Sequence, residues 1–546
     1  MDIFSTSLEV INLIYETTVF IREVTQDIKE YGSAKRDISE RLEHELVFVE
    51  TFTDVCFGEE RGLLRDSRVR DSVKRDVQHC LDVLSSALGA YRVEASKFAG
   101  IVPEMAGDVK DLNVKEKKKW KFGNGMRARC QAWRKKASPL EWALFGKEEM
   151  EALLLHYTEW TDRLRQTLSI ILLLVGYPTP GFAASSQAAD LGVKEVSERQ
   201  IRVHSQPPED YDALDGEMKD FVVFKPGQEL LRGVYEDKSG FDSMEVIVEI
   251  RQYDDAIALA TSEREIDKAK ELKEPLRRLT WLLQGPVDSD LSKQDAEEGY
   301  RMHTLSCIGF LDEPNKNRSL ILYRSAQVLL ESQETPTLHA LILGKSKLTL
   351  GGRFRTARAL AATLLTIHTS GWVHKNICSR SVLMLPSSSH DLESLPYLVG
   401  WDVARPLEAQ TSLHELFELE PNLYHHQQRF GKPTHKFSNE HDIYSLGVLL
   451  LEIGLWKTMS TLFARPLEKN PRIETTQQHA LFKRVGGMIG DMATGLELKR
   501  EMGEGYAGVV QKCLTWRPSE SQEDAVELSI DFRKQVVDAL SKGSKL

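Results

Sequence analysis

HDIYSLGVLLLEIGLW, residues 441–456, decides how the second half of this 546-residue chain is read. It opens on Asp442-x-x-Ser445-x-Gly447 and continues as a largely apolar helical run. An Asp at the head of such a helix can accept its free N–H groups, a role that needs no chemistry. Three segments precede it in order: RFRTARALAATLLTIHTSGWVHKN (353–376), SRSVLML (379–385) and YLVGWDVARP (397–406). Each is a weak signal alone, and the ordered set is a strong one.

Working outward, FVVF (221–224) and EVIVEI (245–250) carry alternating β-branched residues and are expected as strands. A charged helical stretch follows at 261–284, and CIGFLDEPNKNRSLILYR (307–324) reads as a hairpin. Residues 1–175 read as helix nearly throughout. Leu8, Ile11, Ile14, Thr18 and Ile21 recur at helical spacing, with Glu9, Asn12, Glu16 and Glu23 opposite. Similar stripes return at 35–58, 70–98 and 147–175. GYPTPGFAASSQAAD, from Gly176, breaks the pattern with Pro, Gly, Ala and Ser. The expected organisation is multidomain: an all-α bundle over 1–175, a linker over 176–215, and an α+β two-lobed domain over 216–540.

A net charge of -11 argues against a general nucleic-acid binder, because phosphate neutralisation needs a basic surface. Six cysteines lie far apart without a CxxC pair, the pattern of reduced thiols in a cytoplasmic protein. MDIFSTSLEV lacks the basic region of a secretory signal, and the longest apolar run, Leu168 to Val175, is too short to span a bilayer. Residues 115–136, KEKKKWKFGNGMRARCQAWRKK, hold ten Lys/Arg against one Glu, interleaved with Trp120, Phe122 and Trp133. This stretch and the amphipathic helix at 1–25 suit an anionic membrane surface. The plainer alternatives are a solvated loop and an ordinary bundle helix. The adjacent His425 and His426 complete no metal-ligand set.

The four ordered segments resemble the protein-kinase family over about residues 216–540. Residue by residue, the resemblance implies a lost catalytic site. The family pattern H-R-D-L-K-x-x-N reads here as His374, Lys375, Asn376, Ile377, Cys378 and, at its end, Ser381. The base that accepts the substrate hydroxyl proton must be a carboxylate, and Asn376 is a neutral amide. Cys378 replaces the phosphate-neutralising Lys, and Ser381 replaces a magnesium-holding Asn. At the Asp-Phe-Gly site, Gly400 takes the metal carboxylate's place if Val403-Ala404-Arg405 aligns with what usually follows. A shifted alignment puts Asp402 there. KPGQELLRG (225–233) is no G-x-G-x-x-G loop. At the nucleotide Lys the strand offers Arg251 or Glu249, depending on register, and Arg251 could contact an anion. Glu271 or Glu274 is the candidate for the helix Glu. The retained positions are structural: His374 and Asp402, Asp442 bonding the catalytic-loop backbone, and Arg517, whose usual Glu partner is replaced by His425 to Gln428.

The combination also resembles fungal proteins that join a HeLo-like (prion-inhibition and propagation) bundle to a degenerate kinase domain. SPLEWALFGKEEMEALLLHYTEWTDRL (138–164) looks like the closing part of such bundles. The architecture is analogous to the mixed-lineage kinase-like effector of necroptosis. The resemblance implies a pseudokinase restraining a membrane-acting or cell-death module. It further implies an activating protein partner, self-association on activation, and relocation from cytoplasm to membrane. ATP binding is open, with magnesium dependence doubtful. An atypical active Ser/Thr kinase and a non-catalytic binding scaffold are the alternatives.

Overall fold

The structure is a computed structural model. It describes residues 3–27, 34–58, 62–67, 69–98, 147–175, 182, 185–223, 230–238, 243–284, 302–324, 337–344, 347–385, 394–407, 415–469, 471–517 and 525–543. Two compact units, Met1–Ser197 and Glu198–Leu546, divide the chain.

In the first unit the helical stripes become helices α1 (Ile3–Asp27), α2 (Ala34–Phe57), α3 (Asp71–Phe98) and α4 (Lys147–Val175). α1 packs on α2 and α3, and α4 packs on α2 and α3. Ile11, Ile14 and Ile21 of α1 are buried with Leu42, Val49 and Phe52 of α2, Val77, Leu81 and Leu84 of α3, and Tyr157, Leu164 and Leu168 of α4. Each such side chain contributes about 1.5–3 kcal/mol on burial. Buried polar pairs tie α4 to its neighbours: Thr18 to Tyr157 Oη (2.9 Å) and Thr167 Oγ1 to Asp76 (3.1 Å). Glu45 accepts from Thr158 Oγ1 at 3.1 Å and lies 4.0 Å from Arg165. Burial raises the Glu45 carboxyl against the pull of Arg165. Ile11, Ile14, Thr18 and Ile21 of the α1 stripe are thus covered inside the bundle. The basic stretch 115–136 and Cys130 lie outside the described residues. Among the described residues, no helix is long and apolar enough to cross a membrane.

The expected linker over 176–215 is corrected. Helices α5 (Ser186–Asp190) and α6 (Lys194–His204) occupy its middle, and the unit boundary falls within α6. The Ser185 side chain caps α5 by accepting the Ala188 N–H. Further on, the Arg277 guanidinium satisfies the carbonyls of Pro207, Pro208 and Tyr211, and the Leu214 N–H donates to Phe310 O at 2.7 Å. The Pro-rich residues before 215 are therefore fastened to the second unit.

That unit begins with a five-stranded antiparallel sheet: β1 (Gly216–Val223), β2 (Leu230–Asp237), β3 (Ser243–Gln252), β4 (Cys307–Glu313) and β5 (Arg318–Arg324), in the order β1-β2-β3-β5-β4. Val246 and Val248 send their side chains into one core with Leu231, Leu311, Leu320 and Leu322. The strand period of two turns Ile247, Glu249 and Arg251 to the opposite face. Helices α7 (Asp255–Ser262) and α8 (Ile266–Leu282) intervene between β3 and β4. The predicted hairpin forms, with its turn at Pro314–Lys316 closed by Asn317 in the left-handed region (φ 49°).

A mainly helical part follows: α9 (Leu338–Leu343), α10 (Leu350–Thr369), short strands β6 (Trp372–Val373), β7 (Val382–Leu385), β8 (Leu395–Leu398) and β9 (Arg405–Pro406), then α11 (Asn439–Leu455), α12 (Gln478–Thr494) and α13 (Leu496–Leu514). Every residue of α11 from His441 to Leu455 is buried, as its apolar sequence requires. Gly447 permits the close approach of α13, since a Cβ there would lie 2.9 Å from Cys513 Cβ. The fold is thus a helical unit followed by a mixed unit of antiparallel sheet and helices.

Candidate functional site

Asp442, in the first turn of α11, is fully buried and anchors the loop that follows β6. Its Oδ2 accepts the His374 N–H at 2.8 Å, and its Oδ1 accepts the Lys375 N–H at 2.9 Å. His368 Nε2 lies 3.2 Å from Oδ2. Burial opposes ionisation of Asp442, but the hydrogen bond and charge of His368 outweigh it and hold the carboxyl below its ordinary range. The anchored loop keeps Lys375 at φ 72°, a strained conformation for a side chain of this length. His374 packs edge-on to the fully buried Trp401, with ring centroids 4.6 Å apart. Burial pushes the His374 imidazole down to about 4, so it is neutral.

The positions read as degenerate are brought together. The Cys378 N–H donates to Ser381 Oγ at 3.0 Å, and that hydroxyl returns a bond to Cys378 O at 2.9 Å. Cys378 Sγ is 3.8 Å from Asn376 Oδ1. Burial raises the Cys378 thiol, which keeps it protonated and poorly nucleophilic. Gly400 adopts φ 88°, and a Cβ on it would lie 2.7 Å from Asn376 Nδ2 and 3.3 Å from Ser381 Cβ. No carboxylate side chain fits at Gly400 while Asn376 stays where it is. Asp402 stands two residues on, in a 3-10 turn, as a charged neighbour of both Arg251 and Glu249.

Glu249, on β3, closes the other side. It is 2% exposed, and its Oε1 accepts the Gly400 N–H at 2.8 Å while Oε2 accepts the Trp401 N–H at 2.7 Å. Burial, reinforced by Asp402, pushes the Glu249 carboxyl up to about 8. Arg251, the expected nucleotide contact, donates its Nη1 to Ala404 O in the 401–404 turn at 3.2 Å. Both registers fit the sequence, and the fold is what brings Glu249 rather than Arg251 to the Gly400 turn. Glu271 is exposed and Glu274 pairs with Arg277, Nη1 to Oε2 at 3.2 Å, so neither meets β3.

Arg405 and Arg429 gather with Lys375 at the loop's outer end. Lys375 is pushed down to about 8 by burial and by Arg405, Arg429 and Arg251. Arg405 donates to Phe437 O and Arg429 to His435 O, both at 2.8 Å. Sequence reasoning passed over this cluster, because its members are 30 and 54 residues from Lys375 in a chain of acidic total charge. Arg517 is exposed and, among the described residues, no hydrogen bond or ion pair engages it. The 425–428 stretch offers it no carboxylate, and Gln428 there meets His441 at 3.0 Å.

Magnesium needs oxygen ligands, and Gly400 supplies no side chain. Among the described residues, no group of three or more His, Cys, Asp or Glu is arranged to hold a metal ion. On β3, the side chain that faces the Gly400 turn is the Glu249 carboxyl. No protein-family model matches this chain, and no curated protein matches it.

Proposed function

We propose that the second unit is a protein-kinase-like domain that does not transfer phosphate, and that the chain signals through its helical unit. The observation that carries this reading is Glu249, a buried carboxyl bonded to the Gly400 and Trp401 N–H groups where a nucleotide-binding Lys is expected. Asn376 at the position of the base points the same way. The sheet with helix α8 between β3 and β4, and the Asp442 bonds to the loop backbone, agree with a retained kinase-like framework. Such a framework serves as a two-state element that a partner biases by differential affinity. The helical unit, read as HeLo-like, is the output. On activation by a protein partner it would release α1 to an anionic membrane and self-associate there, leaving the cytoplasm.

Thermal shift of the full chain with ATP, with and without magnesium, run beside a radiolabelled phosphotransfer assay, tests the reading. Neither a magnesium-dependent shift nor label transfer is expected. Phosphotransfer abolished by Asp402→Ala would overturn it in favour of an atypical Ser/Thr kinase. For the output, an activated chain that neither sediments with anionic vesicles nor harms cells would leave a non-catalytic scaffold.

A further inference from the structure

Lys375 sits in the Asp442-anchored loop at φ 72°, with its backbone N–H fixed to Asp442 Oδ1 at 2.9 Å. Its side chain is half-buried, so water and small molecules reach it. Among the described residues, no hydrogen bond or ion pair engages its ammonium. Asp442 is the one carboxylate among the groups that act on it. Both of its oxygens are already used, by the His374 and Lys375 N–H groups and by His368. The other charged groups acting on Lys375 are cations: Arg405 of β9, Arg429 of the Gln427–Arg429 turn and Arg251 of β3. His425, close by, is buried, and burial with Arg429 and Lys375 holds its imidazole down to about 4, so it is neutral.

The arginines are held in place by neutral groups. Arg405 donates to Pro406 O (2.8 Å), Leu407 O (3.0 Å) and Phe437 O (2.8 Å). Arg429 donates to His435 O at 2.8 Å, with its guanidinium 5.7 Å from the Phe437 ring centre. Arg251 donates to Ala404 O at 3.2 Å and has Asp402 as a charged neighbour. An ammonium placed among guanidinium groups without an acceptor of its own gives up its proton readily, and the free amine is a nucleophile. With Lys375 pushed down to about 8, about a tenth of the chains carry that amine at pH 7. The same cations would stabilise a negative charge placed on its nitrogen.

We propose that Lys375 is a site of covalent modification by carbon dioxide, forming a carbamate whose charge Arg405 and Arg429 neutralise. The lone pair of Nζ attacks the carbon of carbon dioxide. An N–C bond forms as one C=O electron pair moves onto oxygen, and the nitrogen releases one proton to water. Nothing is oxidised or reduced. Amine and carbon dioxide give carbamate and a proton, and an anion now stands among the cations. Carbon dioxide suits the place because it is small and uncharged. It reaches a half-buried amine without shedding an ionic hydration shell. A preformed anion such as phosphate would meet the same cations without bonding the nitrogen. The inference does not depend on whether the unit transfers phosphate.

The test traps the adduct on the full chain. The protein is equilibrated with isotopically labelled bicarbonate and carbon dioxide, treated with triethyloxonium to convert carbamates to ethyl esters, and digested with trypsin. Mass spectrometry then reads the peptide of residues 359–380, which contains Lys375. Labelled ester on Lys375 is expected, roughly tenfold or more above that on Lys347, an ammonium held by Glu501 at 2.6 Å. Lys375→Arg should remove it. Arg429→Met should lower it by roughly tenfold, and Arg429→Lys, which keeps the charge, should retain most of it. Thermal melts verify that both variants fold. On the wild type, which needs no variant to fold, inorganic phosphate should lower the label saturably by taking the same cations. Absence of label on Lys375, or label no higher than on Lys347, would overturn the inference. So would label that neither Arg429→Met nor phosphate diminishes, because the cluster would then have no part in it.

Discussion

Glu249 and Gly400, 151 residues apart in sequence, are joined by a 2.8 Å hydrogen bond from the Gly400 N–H to the Glu249 carboxyl. The Trp401 N–H uses the second oxygen, so one side chain holds both donors of the turn. The bonds favour the ionised carboxyl, whereas burial and Asp402 oppose it more strongly. The turn is therefore fixed to β3 by a group that resists carrying charge.

A pH dependence follows. Glu249 titrates near 8 when folded, against an ordinary 4.5. Between these values the folded chain holds a proton that the unfolded chain has lost, so this contribution is present at low pH and is lost as pH rises to 8. From pH 6.5 to 8, Glu249→Gln should gain on the order of 2 kcal/mol relative to wild type. Urea midpoints of the two proteins at both pH values measure it, and parallel curves would exclude it.

Lys375 has the opposite sign. Its folded value lies near 8, below the ordinary 10.5, so the folded chain carries a penalty below pH 8 that fades as pH rises to 10.5. Lys375→Met should stabilise the protein at pH 7 by about 2 kcal/mol and lose that advantage by pH 10. Thermal melts at the two pH values decide it. A destabilised variant at pH 7 would mean that the cation is held by favourable contacts.

Asp442→Asn should cost about 3 kcal/mol, because an amide cannot accept both the His374 and Lys375 N–H groups while facing His368. Chemical denaturation measures the loss. Hydrogen exchange should show the amides of His374 and Lys375 among the most accelerated.

Gly400→Ala should destabilise by about 2 kcal/mol, from its φ of 88° and the Asn376 amide 2.7 Å from the new Cβ. Removing that amide with Asn376→Ala should return part of the cost. A double-mutant cycle in which the two changes simply add would show that the contact is not the cause. On the proposed reading, Gly400→Asp should give no phosphotransfer, because Asn376 supplies no carboxylate base.

Much of the framework was legible in the chain. The 3.6-residue stripes of α1 to α4, the alternation in β3 and the 307–324 hairpin all come from local periodicity, which side-chain direction enforces directly. The apolar sequence after Asp442 likewise required a helix buried on all sides. The expectation of a missing base at Asn376 comes from the sequence resemblance alone and needed no coordinates.

Other features needed the fold. Glu249 and Arg251 share a strand face, so alternation alone could not say which one reaches the Gly400 turn. Gly400 and Asp402 flank one residue of a tight turn, and only the packing of Asn376 and Ser381 shows which faces the loop. The Pro-rich run before residue 215 has a linker's composition, yet Arg277 fixes its carbonyls to the second unit. Sequence determined what each segment prefers locally. Tertiary structure decided which buried polar groups meet, because that depends on contacts between residues far apart in the chain.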